Sequence, residues 1–103
     1  VIKRLFSSPV LYRTLALFFA YPDEPLNPRL ISRYTGTAMK SVLREIRKLE
    51  GMGIIRCRTA GQYKGYVLDR DHPVHDGLRS IFARTKKEWD YVTRPPSVRM
   101  WGK

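Results

Sequence analysis

Between Thr35 and Gly53 the chain reads TGTAMKSVLREIRKLEGMG, and within it Lys40, Arg44 and Lys48 recur at steps of one helical turn, with Ser41 one turn before Arg44. With Thr37 they share one face, and the spacing puts Arg47 near its margin. Met39, Val42, Leu43, Ile46 and Leu49 form the opposing apolar series. A guanidinium bonds guanine or phosphate bidentately, an ammonium binds phosphate as a point charge, and Ser or Thr hydroxyls suit either kind of base edge. The chemistry these groups share is recognition of a polyanion. The same charges would also suit the solvated face of any amphipathic helix, so the neighbouring elements must decide.

The whole chain leans the same way. Among 103 residues, 20 Lys and Arg stand against 9 Asp and Glu, a formal net charge of +11. That imbalance favours nucleic acid first and an acidic membrane surface second. A hydrophobic share of 43% and a charged share of 28% are those of one small globular domain. The longest apolar run, Leu15 to Tyr21, is far too short to span a bilayer, and no small-residue cleavage site follows it, so no signal peptide is expected. With Cys57 the single cysteine, no internal disulfide can form, which fits a reducing, cytoplasmic setting.

Ser8-Pro9 supplies a cap and a first-turn proline for a helix whose apolar residues, Val10 to Phe19, fill more than one stripe. Asn27-Pro28 repeats that signal for a short helix with Leu30, Ile31 and Tyr34 inward, closed by Gly36. Thr37 is then expected to cap a third helix, 38–50. Two helices joined by a glycine turn make a helix-turn-helix. From Ile54 the period changes to two: Ile55-Arg56-Cys57-Arg58 alternates, residues 60–65 read as a turn, and Tyr66-Val67-Leu68 returns. The hairpin, 54–68, leaves Arg58 and Lys64 outward and Cys57 inward. Asp71 reads as the cap of a fourth helix with Val74, Leu78, Ile81, Phe82, Trp89 and Val92 along one stripe, interrupted by Thr85. Pro95-Pro96 ends it, leaving 94–103 as a basic tail.

Helix, helix-turn-helix, hairpin, helix is the order of a winged helix-turn-helix domain, mainly α with a small β-hairpin (α+β), here residues 1–93. In that arrangement the third helix lies in the DNA major groove and the hairpin, or wing, reaches the backbone or minor groove. Lys40, Ser41 and Arg44 are then expected on base edges, with Arg47, Lys48, Arg58 and Lys64 mainly on phosphate.

Over residues 5–85, about four fifths of the chain, the sequence resembles ArsR-type winged-helix transcriptional regulators. The resemblance rests on LFSS at Leu5, YTG at Tyr34, SVLREIRKLE at Ser41, GII at Gly53 and YVLDRDHP at Tyr66. The last stretch points to the archaeal-type branch often associated with nucleotidyltransferases. Ser32 and Leu30 depart from the family pattern, and within residues 1–103 no nucleotidyltransferase domain is expected. The resemblance implies a homodimer joined through the first and last helices, which puts Leu11, Leu78, Ile81, Phe82 and Trp89 at the interface.

Other chemistry finds less support in the residues. Cys57, His72, His75, Asp69, Asp71 and Asp76 have the chemistry of metal ligands, but a lone thiol lacks the partner of a thiolate site, and the histidines flank a helix start. No metal, cofactor or catalytic arrangement is expected, and the protein reads as a non-enzyme. Two alternatives share the fold: an adaptor that binds a separate enzyme or transcription complex, and a non-specific architectural coat for DNA.

Overall fold

The computed structural model of the chain describes residues 8–90. Its first helix, α1 (Pro9–Ala20), starts where Ser8 Oγ accepts the Leu11 N–H at 3.2 Å. Thr14 to Phe18 are all buried, so α1 is the central rod of the core rather than a surface helix. Four further elements, α2 (Pro28–Thr35), α3 (Met39–Gly51), β2 (Tyr63–Leu68) and α4 (His75–Arg84), pack against it.

Asn27 caps α2 by accepting the Leu30 N–H at 2.7 Å, and Gly36 closes it at φ +69°, where a side chain would be strained. Thr37 does not cap α3. The Thr35 hydroxyl donates to the Ile31 carbonyl, so the Thr37 hydroxyl is left to donate to Thr35, 2.7 Å away. Ala38 takes the cap position without a side-chain bond. Locking the turn to α2 has won over capping the next helix.

The wing is β1 (Ile55–Ala60) paired antiparallel with β2, from Ile55 opposite Leu68 to Ala60 opposite Tyr63. The first strand therefore ends two residues later than expected and the second starts three earlier, inside the stretch read as a turn. Gly61, at φ +65°, and Gln62 suffice to reverse the chain, as in a type II′ connection. Cys57 is exposed, not inward. On that face the Ile55–Leu68 pair is buried and Tyr66, opposite Cys57, still packs half-buried on the core, so coverage gives out on the β1 side at Cys57.

A second tie fixes the wing to the body. Leu26 exchanges both backbone hydrogen bonds with Tyr66 at 2.9 Å, and the Tyr63 hydroxyl accepts the Asn27 N–H at 3.2 Å. A Cβ on Gly65 would lie 2.8 Å from the Leu26 nitrogen. Gly65→Ala should cost about 1–3 kcal/mol of stability, because backbone must shift to admit one methyl group. Thermal unfolding checks this; an unchanged midpoint would mean the wing is not held against Leu26.

The expected long last helix breaks at Thr85. The Thr85 hydroxyl and N–H both donate to the Ile81 carbonyl, and the short α5 (Lys86–Trp89) turns back toward the core. Phe82 is fully buried and Trp89 4% exposed, so neither is available to a dimer seam. Trp89 Nε1 donates to the Phe82 carbonyl at 2.8 Å, and the Tyr12 hydroxyl to the Glu88 carbonyl at 2.8 Å. A broken helix can hide a stripe that a straight one could not. What stays outward is Val74, Ile81 and the half-buried Leu78, while Leu11 packs half-buried on the core. Asp71 does not cap α4: its N–H bonds Asp69 Oδ1, and Val74 holds the cap position. Val92, Trp101 and the tail 94–103 lie outside the described residues. Among the described residues no helix is long and apolar enough to cross a membrane.

Candidate nucleic-acid interface

α3 is positioned by Val42, Ile46 and Leu49, each at most 2% exposed and packed in the common core. Burying side chains of this size is worth about 1.5–3 kcal/mol apiece, so the roll of the helix about its axis is firmly set. Lys40, Arg44, Arg47 and Lys48 are consequently all exposed. At about 100° per residue, Lys40, Arg44 and Arg47 fall within roughly 60° of one another. Arg47 is thus central to the outer face rather than marginal. Ser41 is half-buried on its flank, beside Lys48. Met39, expected inward, is 37% exposed, because the core that covers Val42 stops short of the first turn.

Among the described residues no carboxylate pairs with Lys40, Arg44 or Arg47. Like charges at steps of three and four cost a helix some tenths of a kcal/mol, a penalty that an external anion would remove. The same helix begins without a side-chain cap, so its first N–H groups and the positive end of its dipole remain open to an anion.

One residue of this helix escaped the sequence reading. Glu45 lies on the inward side of α3 and is 3% exposed. Its Oε2 accepts the Ser8 hydroxyl at 3.5 Å, and its Oε1 faces Lys48 Nζ, also at 3.5 Å. Helical spacing puts Glu45 about 40° beyond Leu49, at the edge of the apolar arc toward Lys48, so spacing alone gave little sign of its burial.

The wing adds two sets of cations. Register puts Arg56 and Arg58 on one face with Val67 and Gly65, and Thr59 and Lys64 together on the other. All three basic side chains are exposed. Arg58 and Lys64 therefore point to opposite sides of the hairpin.

Sites of other kinds lie elsewhere. His72 Nδ1 accepts the Val74 N–H at 3.1 Å, which places the ring proton on Nε2, 2.9 Å from the Met52 carbonyl it donates to. His75 is buried with its ring 5.7 Å from that of Phe19. Among the described residues no three His, Cys, Asp or Glu side chains gather as metal ligands. Away from the basic face, burial raises the Tyr21 phenol above its usual range, and the neighbouring Tyr34 adds to the shift.

Comparison with known proteins bears on the fold. The crystal structure of AF1382 from Archaeoglobus fulgidus is similar, with a TM-score of 0.56 and 19% sequence identity, over 90% of this chain and 97% of that one. No family model matches the chain, and no curated protein does. At that identity the likeness concerns the fold alone: a mainly helical α+β domain with a two-stranded antiparallel hairpin, compatible with a winged helix-turn-helix.

Proposed function

We propose that the chain is a sequence-specific, double-stranded DNA-binding protein of the ArsR-type winged-helix kind, acting as a homodimeric transcriptional regulator and without catalysis of its own. The observation that carries this is the outer face of α3, where Lys40, Arg44 and Arg47 stand exposed without an ionic partner among the described residues. A helix of 13 residues is about 20 Å long, enough to lie in a major groove and touch four or five base pairs. Lys40, Arg44 and the flanking Ser41 would meet base edges, with Thr37 at the entrance to the helix. Arg47 would bind phosphate. Because Arg58 and Lys64 project to opposite sides, a wing entering the neighbouring groove would offer one cation to each wall. Lys48, the remaining cation expected on phosphate, already has an ionic partner in Glu45.

The outward stripe of Val74, at the cap of α4, with Leu78 and Ile81 on the helix, is the surface we assign to the second copy, together with Leu11 of α1. Two copies related by a two-fold axis would read a pseudo-palindrome with half-sites about 34–36 Å apart. Selection of bound duplexes from a random pool at physiological salt tests the proposal. Enrichment of such a palindrome supports it. Binding that is salt-labile and blind to sequence would instead identify an architectural coat, or an adaptor whose true partner is a protein.

A further inference from the structure

The buried carboxylate on α3 has no role in the reading above, and its surroundings are unusual. Glu45 is buried while the cations beside it on the helix are exposed. Its Oε1 is buried and accepts no hydrogen bond among the described residues, and its contacts are the Ser8 hydroxyl and the Lys48 ammonium. Ser8 is itself engaged, since its oxygen accepts the Leu11 N–H that begins α1. The result is a chain of contacts from the cap of the central helix through Glu45 to Lys48 on the outer helix.

Exposed ion pairs are worth little, because water solvates either ion once they part. This pair is lopsided: the Glu45 side chain is 4% exposed and that of Lys48 is 56% exposed. If Lys48 leaves, its ammonium is rehydrated at no loss, but the carboxylate is left buried without a counter-charge. The cost falls on one side alone, and it keeps the lysine in place.

We infer that Glu45 withdraws Lys48 from the anion-binding face: Lys48 is a positioning residue that neutralises a buried anchor between α3 and the cap of α1, and it is not a phosphate contact. The part that concerns DNA rests on the function proposed above; the part that concerns the anchor does not. The cationic face of α3 then comprises Lys40, Arg44 and Arg47, and its orientation is fixed by a charge that those residues do not share.

Two measurements on Lys48→Met, Lys40→Met, Arg47→Met, Glu45→Gln and the double variant Glu45→Gln/Lys48→Met decide the matter. In thermal unfolding, Lys48→Met should lower the midpoint by about 4–8 °C, Lys40→Met by less than half as much. The double variant should recover most of the loss, because a buried amide needs no counter-charge. In the salt dependence of binding to a random-sequence duplex, Arg47→Met should shallow the slope by about 0.9 and Lys48→Met should leave it alone. Glu45→Gln, which frees the lysine, should steepen it by about 0.9. A Lys48→Met slope as shallow as that of Arg47→Met, or a midpoint that the double variant fails to restore, overturns the inference. Should the wild-type chain show no salt-dependent binding, the DNA reading fails, and the unfolding series still decides whether Glu45 holds Lys48.

Discussion

Phe82→Ala should destabilise the domain by about 3–5 kcal/mol, and by the same amount at high and low protein concentration. The ring is fully buried, 5.2 Å from that of Phe19, 5.9 Å from Trp89 and 6.3 Å from Tyr12. Truncating it leaves a cavity between the central helix and the returning end of the chain, with little to collapse into the space. Against a total stability of about 5–15 kcal/mol, that loss brings the domain close to unfolding at ambient temperature. Concentration is the discriminating variable, because a residue of a dimer seam stabilises by mass action and makes the melting point depend on protein concentration. Melting curves of Phe82→Ala and Ile81→Ala at two concentrations a hundredfold apart separate the cases. Ile81, at 36% exposure, should change the monomer by no more than about 0.5 kcal/mol. A concentration-dependent effect at Ile81 would place the seam on the outward stripe. A small loss at Phe82 would contradict the packing described here.

The same two residues show where sequence and structure part company. Phe82 and Trp89 lie on one helical stripe with Ile81 and Leu78, and the periodicity gives no hint which of them the domain's own core claims. That depends on the break at Thr85, a local competition of its hydroxyl for the Ile81 carbonyl that one sequence does not resolve. Caps were legible at Ser8 and Asn27, because proline follows each and fixes the helix start. The cap at Thr37 was not, since it depends on whether Thr35 and Thr37 bond each other across the turn. Alternation located the wing but misplaced Cys57, because a period of two says which residues share a face and not how far the core extends beneath it. Lys40, Arg44 and Arg47 needed only the helical period and the apolar residues opposite them. Glu45 and the tie it makes to Lys48 needed the third dimension.

Arg44→Ala should weaken binding to a selected duplex by about 1–3 kcal/mol, roughly 5- to 150-fold, and should cost much less on random DNA. Arg44 is exposed and without an ionic partner among the described residues, so its loss should leave stability within about 0.5 kcal/mol of wild type. The affinity change can then be attributed to the interface. Arg44→Lys should recover little of the specific binding, because an ammonium cannot form the paired hydrogen bonds that a guanidinium makes with guanine. Arg47→Ala provides the contrast: a phosphate contact should weaken both duplexes alike and shallow the salt slope by about 0.9. The two arginines are three residues apart on one exposed face and differ little in burial, so composition and exposure do not distinguish them. Only the ratio of losses on selected and random DNA does. Equal ratios at both positions would mean that the outer face of α3 grips the backbone, and that sequence is read elsewhere or not at all.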